Sequence, residues 1–214
     1  MPIGVLIVDD HRVFAEGLEA VFSAEPGFEP TALSHPQQVV PFAAAHRPDA
    51  VIMDIRLGDV SGIDLTRQLA ALPFAPAVVV LTGYVDTATA IDAVRAGAVG
   101  FLGKNASVEQ VVCAVRASVL GGSWLPASLL TAVLASYPDP ASEPHGHLIA
   151  QLTAREHEVL ALMVSGHDRG GIASRLHQSP NTVRTHIRNV TVKLGCHSAL
   201  EAVAVALQAG MRPE

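Results

Sequence analysis

The sequence predicts an α/β fold, a doubly wound five-stranded parallel sheet, with a second, smaller all-α domain behind it. Within the first 120 residues, short apolar runs alternate with stretches whose apolar residues recur every three or four positions. Strands that alternate with helices in this way form a parallel sheet with helices on both faces. From about residue 150 the pattern is helical only. We therefore expect domains at residues 1–120 and 148–214, joined by a linker at 121–147.

The individual elements of the first domain follow from the apolar runs and the helix caps. In the first helix Phe14, Leu18 and Phe22 share one face, and Ser107 begins the fifth helix in a capping box with Gln110. The five predicted strands are residues 3–8, 28–33, 50–53, 77–81 and 99–102. Each run is short and apolar, as expected for a strand that is buried on both faces of a sheet.

Glycine and proline interrupt residues 121–147, which indicates a linker, with one short helix predicted at about 126–136. After the linker, Thr153 and Glu156 form a capping box and Gly166 ends that helix. Ser179 followed by Pro180 begins another helix, and a last one is predicted at about 198–209. We therefore expect a small bundle of four helices.

The net charge of −6 is unevenly distributed along the chain. Residues 1–149 contain 7 Lys/Arg and 15 Asp/Glu, a net of −8, whereas residues 150–214 contain 7 and 5, a net of +2. An acidic module joined to a basic one is typical of nucleic-acid binders, although +2 is a weak signal. The sequence has no apolar run long enough for a membrane helix, no signal peptide and no paired cysteines. We therefore expect a cytoplasmic protein without membrane contact.

Polar side chains follow the predicted strands at one edge of the sheet. Asp9 and Asp10 follow the first strand, Asp54 the third, Thr82 ends the fourth, and Lys104 follows the fifth. Ligands of open α/β sheets bind at this edge. Three carboxylates in one crevice repel one another unless a cation such as Mg²⁺ lies among them. Any one carboxylate could be an ordinary loop residue or helix cap, but the set indicates a nucleophile that accepts a phosphoryl group.

Four segments of this domain resemble the response-regulator receiver family, whose fold is flavodoxin-like. They are Val8-Asp9-Asp10-His11, Met53-Asp54-Ile55-Arg56, Leu81-Thr82-Gly83 and Gly100-Phe101-Leu102-Gly103-Lys104. The resemblance covers residues 3–120. It implies that Asp54 is the phosphoacceptor and that Asp9, Asp10 and Asp54 hold Mg²⁺.

The same resemblance assigns three further residues and shows one departure. It implies that Thr82 is the switch hydroxyl, Phe101 the switch aromatic and Lys104 the phosphate-binding lysine. An aromatic residue at the position of Phe101 is also compatible with an ordinary core role. Gly58 departs from the family, which usually has proline there, and this departure predicts a looser loop after the phosphoacceptor.

The predicted helix at 180–194 has one apolar and one polar face. Val183, Ile187, Val190 and Leu194 follow helical spacing on the apolar face. The remaining surface carries residues that can bind DNA bases or phosphates, namely Thr182, Arg184, Thr185, Arg188, Asn189 and Lys193. Taken alone, such a helix could equally be a surface helix with solvated charges.

The surrounding segments resemble the LuxR-type helix-turn-helix over about residues 150–210. They include Leu152-Thr153-Ala154-Arg155-Glu156, Ile172-Ala173, Asn181-Thr182-Val183-Arg184-Thr185-His186 and Lys193-Leu194-Gly195. With a receiver in front, the whole chain resembles a NarL/FixJ-type response regulator. This implies a non-enzymatic transcription regulator, phosphorylated by a cognate sensor histidine kinase, that binds double-stranded promoter DNA as a homodimer on activation. The family usually has Asn-Lys-Glu where this chain has Arg169-Gly170-Gly171, which predicts a less stable helix there.

Three alternative functions differ from this interpretation. An aspartyl-phosphate phosphatase usually has a second aspartate two residues after the first, where this chain has Arg56. A LuxR-type quorum sensor would need an apolar ligand pocket in place of five βα units. A regulator of the same architecture that works without phosphorylation remains an open alternative.

Overall fold

In this computed structural model, residues 2–83, 85–126, 129, 132, 148–196 and 198–213 are described. The first part of the chain is a five-stranded parallel sheet with helices on both faces, followed by a unit made of helices, so the predicted fold class is confirmed. The sheet strands are Ile3–Val8 (β1), Phe28–Leu33 (β2), Ala50–Met53 (β3), Ala77–Thr82 (β6) and Ala98–Gly103 (β7). They agree with the predicted strands to within one residue at each end.

The helices of the α/β unit are Arg12–Ala24 (α1), Pro36–His46 (α2), Gly62–Ala70 (α3), Thr87–Arg95 (α4) and Val108–Val119 (α5). Successive side chains of a strand point to opposite faces of the sheet, and β1 shows the result. Val5 and Ile7 pack with α1 and α5 on one face, whereas Leu6 and Val8 pack with α2 and α3 on the other. Both faces are therefore covered, as the continuous apolar strands predicted.

The order of the strands in the sheet is β2-β1-β3-β6-β7, with every neighbouring pair parallel. The chain adds β2 on one side of β1 and the later strands on the other side. The order of strands therefore reverses at β1 and β3. In open α/β sheets the ligand site lies beyond the carboxyl ends of the strands at this reversal.

A small antiparallel hairpin, which the sequence did not predict, lies directly after β3. Its strands are Arg56–Leu57 (β4) and Val60–Ser61 (β5). The turn between them contains Gly58 at a φ of +63°, a conformation that glycine adopts readily and that proline cannot adopt. Proline, which the family usually has here, could not adopt this conformation of the turn.

The helical unit consists of Ala154–Val164 (α6), Arg169–Arg175 (α7), Pro180–Lys193 (α8) and Ala199–Gln208 (α9). The predicted capping residues Thr153 and Ser179 each accept a hydrogen bond from the backbone N–H three residues on. Gly166, at a φ of +81°, follows the end of α6 as predicted. Val190 and Leu194 of the α8 segment pack in one core with α6 and α9.

The predicted linker helix at about 126–136 lies outside the described residues, apart from 126, 129 and 132. Before that segment, the chain after α5 runs beside β7, where Trp124 exchanges backbone hydrogen bonds with Val99 and Phe101. Among the helices of the described segments, none is both long and apolar enough to cross a membrane.

Candidate functional site

The carboxyl edge of the sheet brings together the polar residues that the sequence singled out. Asp9 follows β1, Asp54 follows β3, Thr82 is the last residue of β6, and Lys104 follows β7. Because β1, β3, β6 and β7 are parallel, their carboxyl ends meet at one edge. A cavity of ≈ 320 Å³ opens there, and Asp54, Thr82 and Lys104 line it. The predicted convergence of these side chains is therefore observed.

Lys104 lies between two buried carboxylates. Its Nζ is 2.6 Å from Asp9 Oδ2 and 2.6 Å from Asp54 Oδ2, and these two aspartates are 2% and 5% exposed. Partial burial alone would lower the pKa of Lys104, but the hydrogen bonds and negative charges of Asp54 and Asp9 outweigh it and raise the pKa. The lysine therefore stays charged and offsets the repulsion between the carboxylates.

Asp10 and His11 lie at the rim of this site and are more exposed. The Nδ1 atom of His11 is 2.9 Å from Asp10 Oδ1 and 3.3 Å from Asp9 Oδ1. One ligand atom from each of Asp9, Asp10, His11 and Asp54 lies within 4.8 Å of the others. Three of these four ligands are carboxylate oxygens, which suit a hard divalent cation.

The hairpin after β3 contacts the carboxylate of Asp10 in this cluster. The backbone N–H of Gly58 donates a hydrogen bond of 3.0 Å to Asp10 Oδ2. A proline at this position would have no N–H to donate. The departure from the family that the sequence analysis associated with a looser loop thus supplies a direct contact to the cluster.

Phe101 is fully buried and lies away from the lining of this cavity. It packs in a cluster with Val80 and Ala90 beneath α4. Sequence reasoning missed a different aromatic residue, Phe14, which lines the cavity and lies with its ring centroid 4.7 Å from Lys104 Nζ. Its helical spacing indicated a core residue, and nothing in that spacing showed that α1 begins beside Lys104.

The surface of α8 carries most of the residues proposed to bind DNA. The exposed ones are Thr182, Arg184, Thr185, Arg188 and Asn189. Val183 and Val190 on the opposite side are fully buried, so α8 has the two faces that the sequence predicted. The Thr182 hydroxyl is 2.8 Å from the hydroxyl of the capping residue Ser179.

Lys193 at the end of α8 is engaged inside the helical unit. Its Nζ is 2.6 Å from Oε2 of Glu156, whose side chain is buried in the first turn of α6. The hydrogen bond from Lys193 is the main cause that holds the pKa of Glu156 below its usual value, and burial opposes it. The sequence alone indicated only a DNA-binding role for Lys193.

Two arginines of the helical unit form hydrogen bonds to the α/β unit. Arg188 of α8 donates a hydrogen bond of 2.6 Å from Nη1 to the backbone oxygen of Pro73, after α3. Arg169 of α7 donates from Nη2 to the oxygen of Val119, and its backbone N–H donates to the oxygen of Leu120 at 3.1 Å. In this arrangement α8 therefore faces the α/β unit.

Comparison with known proteins agrees with both halves of the chain. The response regulator receiver domain model matches residues 5–116, and the model of the bacterial regulatory proteins of the luxR family matches residues 150–206. The transcriptional regulatory protein LiaR of Bacillus subtilis (strain 168) is 30% identical over 205 residues, which are 95% of this chain and 96% of LiaR. The transcriptional regulatory protein DegU of Brevibacillus brevis is 27% identical over 222 residues, 97% of this chain and 94% of DegU.

A solved structure is similar to this chain over its full length. Full-length FixJ from B. japonicum is 25% identical, matches with a TM-score of 0.50, and the match covers 97% of both chains. The two family models and these relatives agree on the family of the chain. This chain belongs to the two-component response regulators of the NarL/FixJ type, non-enzymatic transcription regulators that join a receiver domain to a LuxR-type helix-turn-helix DNA-binding domain.

Proposed function

We propose that Asp54 accepts a phosphoryl group from a cognate sensor histidine kinase and that this step switches the DNA-binding domain. The observation that carries the proposal is the position of Asp54, buried at the carboxyl end of β3 within hydrogen-bond distance of Lys104. Asp9 is also buried and contacts the same lysine. It follows β1, however, whereas Asp54 follows β3, the central strand of the sheet. We place the receiver at residues 1–120 and the DNA-binding domain at 148–214.

In the proposed transfer, a carboxylate oxygen of Asp54 attacks the phosphorus of a phosphohistidine on the kinase. The P–O bond forms while the P–N bond breaks, and the electron pair of that bond stays with the imidazole nitrogen, which takes up a proton. Lys104 is positioned to attract the oxygens of the incoming phosphoryl group, since its Nζ lies 2.6 Å from Asp54 Oδ2, where that group would be attached.

The donor set fits Mg²⁺, because Asp9, Asp10 and Asp54 bring carboxylate oxygens within 4.8 Å of one another. We therefore propose that these three residues hold the ion. When bound, Mg²⁺ supplies positive charge that lowers the repulsion between the phosphoryl group and the carboxylates. Thr82 and Phe101 are the proposed switch residues: Thr82 lines the cavity and Phe101 is buried beside β6.

We further propose that the DNA-binding domain reads promoter DNA with α8 as its recognition helix. Arg184, Thr185 and Arg188 are exposed for contacts to bases, and Thr182 and Asn189 for contacts at the flanks. Because Arg188 is hydrogen-bonded to Pro73 of the receiver, DNA binding requires α8 to separate from the receiver first. Lys193 would bind a DNA phosphate only by exchanging its Glu156 partner for it.

A domain with a net charge of +2 has little electrostatic affinity for DNA by itself. Two linked domains on paired half-sites gain affinity through effective concentration. We therefore propose a homodimer on activation, which acts on promoters in the cytoplasm.

Mass spectrometry after incubation with acetyl phosphate and Mg²⁺ tests the proposed acceptor. The wild-type chain should gain the mass of one phosphoryl group, and it should gain none when the metal is chelated. Asp54→Asn should show no gain, whereas Asp59→Asn, in the neighbouring hairpin turn, should be labelled as the wild type is. An adduct that persists in Asp54→Asn would show that another residue accepts the phosphoryl group.

A further inference from the structure

A cavity of ≈ 180 Å³ lies between the receiver and the DNA-binding domain, at the opposite edge of the sheet from Asp54. It is lined by the end of α5 and the starts of β6 and β7 on one side, and by α7, α8 and the start of α9 on the other. The volume is many times what a single water molecule needs, so a small ligand can enter. This site is separate from the phosphoacceptor cavity.

Positive charge predominates in the lining of this interdomain cavity. Its charged residues are Arg169, Arg184, Arg188 and Asp49. Three arginines against one aspartate leave two positive charges, and the Asp49 carboxylate already accepts a hydrogen bond of 3.0 Å from the N–H of Gly4. The cavity thus has an excess of cations, which the charges of Asp49 and the neighbouring Asp168 offset only in part.

The bonds that hold these arginines do not neutralise them. Arg188 and Arg169 donate to backbone oxygens of Pro73 and Val119, which carry no net charge. Within the described segments, the side chain of Arg184 makes neither a hydrogen bond nor an ion pair. Most guanidinium N–H groups of the three arginines therefore remain available to a ligand.

Arg169 is fixed in this position by the shape of the junction between the domains. Gly121, at a φ of +92°, leaves room for it, because a Cβ there would lie 2.6 Å from Arg169 Cβ. Burial, and then the charge of Arg184, lower the pKa of Arg169. A partly buried cation beside another cation is electrostatically unfavourable, and an anion at this place would relieve both effects.

A buried hydroxyl lies in the same lining. Ser118 is 4% exposed, and its Oγ has no hydrogen-bond partner among the described residues. Buried hydroxyls almost always have a partner, and a ligand oxygen in the cavity would provide one. This observation is independent of the arginines and also indicates a polar ligand.

We propose that the interdomain cavity binds a small oxyanion with two or more negative charges, such as phosphate or pyrophosphate, between Arg169, Arg184 and Ser118. The planar guanidinium donors suit phosphoryl oxygens, which they bind in pairs. The bound anion ties α7 and α8 to the receiver. The further consequence, that the anion competes with DNA for Arg184 and Arg188, rests on the proposed DNA-binding function.

Calorimetric titration of the full chain with pyrophosphate, in chelated buffer without Mg²⁺, tests the site directly. We expect one binding site, tighter for pyrophosphate than for inorganic phosphate. Arg169→Ala and Ser118→Ala should each weaken binding, the arginine by on the order of tenfold or more, the usual effect of losing a hydrogen bond to a charged group. Arg175→Ala, which removes an exposed cation from the same helix outside the cavity, should change affinity less than about twofold.

Ser118→Ala breaks no hydrogen bond of the described residues and leaves all three arginines in place, so we expect it to fold as the wild type does. It therefore distinguishes binding in the cavity from a general attraction of anions to the arginines. Binding that is unchanged in both Arg169→Ala and Ser118→Ala, or no binding at all, would overturn the proposal. A second titration uses a random DNA duplex at matched ionic strength, where pyrophosphate should weaken DNA binding of the wild type more than that of Ser118→Ala. If the protein does not bind DNA at all, the proposed function is contradicted, but the calorimetric test of the anion site is unaffected.

Discussion

Replacing Lys193 with methionine tests how the DNA-binding domain is held together. Lys193 Nζ lies 2.6 Å from Glu156 Oε2, and Glu156 is 4% exposed. Methionine keeps most of the side-chain volume but removes the ammonium group. The Glu156 carboxylate would then stay buried without its one cationic partner among the described residues, although the N–H of Thr153 still donates to it at 2.8 Å.

The expected loss follows from the geometry of this pair. A hydrogen bond to a charged group contributes about 1.5–3 kcal/mol. The side chain of Lys193 is 35% exposed, so water screens the pair and we expect the lower half of that range, about 1.5–2 kcal/mol. For a domain of this size each kcal/mol shifts the melting temperature by about 4–8 °C, which predicts a decrease of about 6–16 °C at pH 7.

The pH dependence of the effect has a definite sign. Folding lowers the pKa of Glu156, mainly through the hydrogen bond from Lys193. A lowered carboxyl pKa adds stability above the unfolded value of about 4.3, and this stability is lost as the pH falls through the folded pKa. The difference between wild type and Lys193→Met should therefore be complete above about pH 5 and shrink in acid.

Calorimetric melting of the full chain at pH 7 and pH 4 measures both effects. Arg175→Met serves as the matched control, because it removes an exposed cation from α7, and it should melt close to the wild type. Adding Glu156→Gln to Lys193→Met should recover part of the loss, since no unpaired charge stays buried. A melting temperature unchanged at pH 7, or a difference that grows in acid, would refute this account of the pair.

Three further predictions concern the hairpin after β3, the recognition helix α8 and the first turn of α7. Gly58→Pro should slow labelling by acetyl phosphate at limiting Mg²⁺ by on the order of tenfold, because proline can neither adopt a φ of +63° nor donate the N–H. Loss of Arg184 or Arg188 should cost about 1–3 kcal/mol on a specific duplex and relax sequence choice, as measured by binding isotherms. Gly170→Ala should stabilise α7 by up to about 1 kcal/mol in thermal melting, whereas Gly171→Ala should not, because its Cβ would lie 3.1 Å from Oδ1 of the capping residue.

Each of these predictions has an outcome that contradicts it. Labelling of Gly58→Pro at the wild-type rate would show that the hairpin contact does not position the metal site. Equal losses on specific and random duplexes would show that the two arginines bind phosphates only. Equal stabilisation by both alanines, or loss of stability in Gly170→Ala, would contradict the geometry of the first turn of α7.

The strands and the residues at their carboxyl ends were predictable because local patterns encode them. A buried parallel strand is a continuous apolar run, and the first polar residue after it marks the edge of the sheet, as Asp9 and Asp54 show. The helix caps Thr153 and Ser179 were equally readable, since a cap acts only three residues away. In these cases the structure depends on neighbours in sequence.

The features that sequence reasoning missed depend on contacts between distant residues. The hairpin of β4 and β5 has strands of two residues, too short for any periodicity. The pairing of Lys193 with Glu156 joins residues 37 positions apart, and a lysine at the end of a DNA-reading helix resembles a phosphate contact. The contact of Arg188 with Pro73 spans 115 positions and joins two domains. The sequence pattern of each domain predicts its own helices and strands but not its contacts with the other domain.

The phosphorylation site in the receiver is proposed to control DNA binding by the other domain. A DNA duplex that binds the protein is first selected from random sequences and labelled. Sedimentation of the full chain with this duplex then measures both the mass of the complex and the affinity of the protein for DNA. With beryllofluoride and Mg²⁺ as a mimic of the phosphorylated state, we expect two chains on each duplex and tighter binding than without the mimic, while Asp54→Asn should not respond. Equal mass and equal affinity with and without the mimic would contradict the claim and favour a regulator that works without phosphorylation.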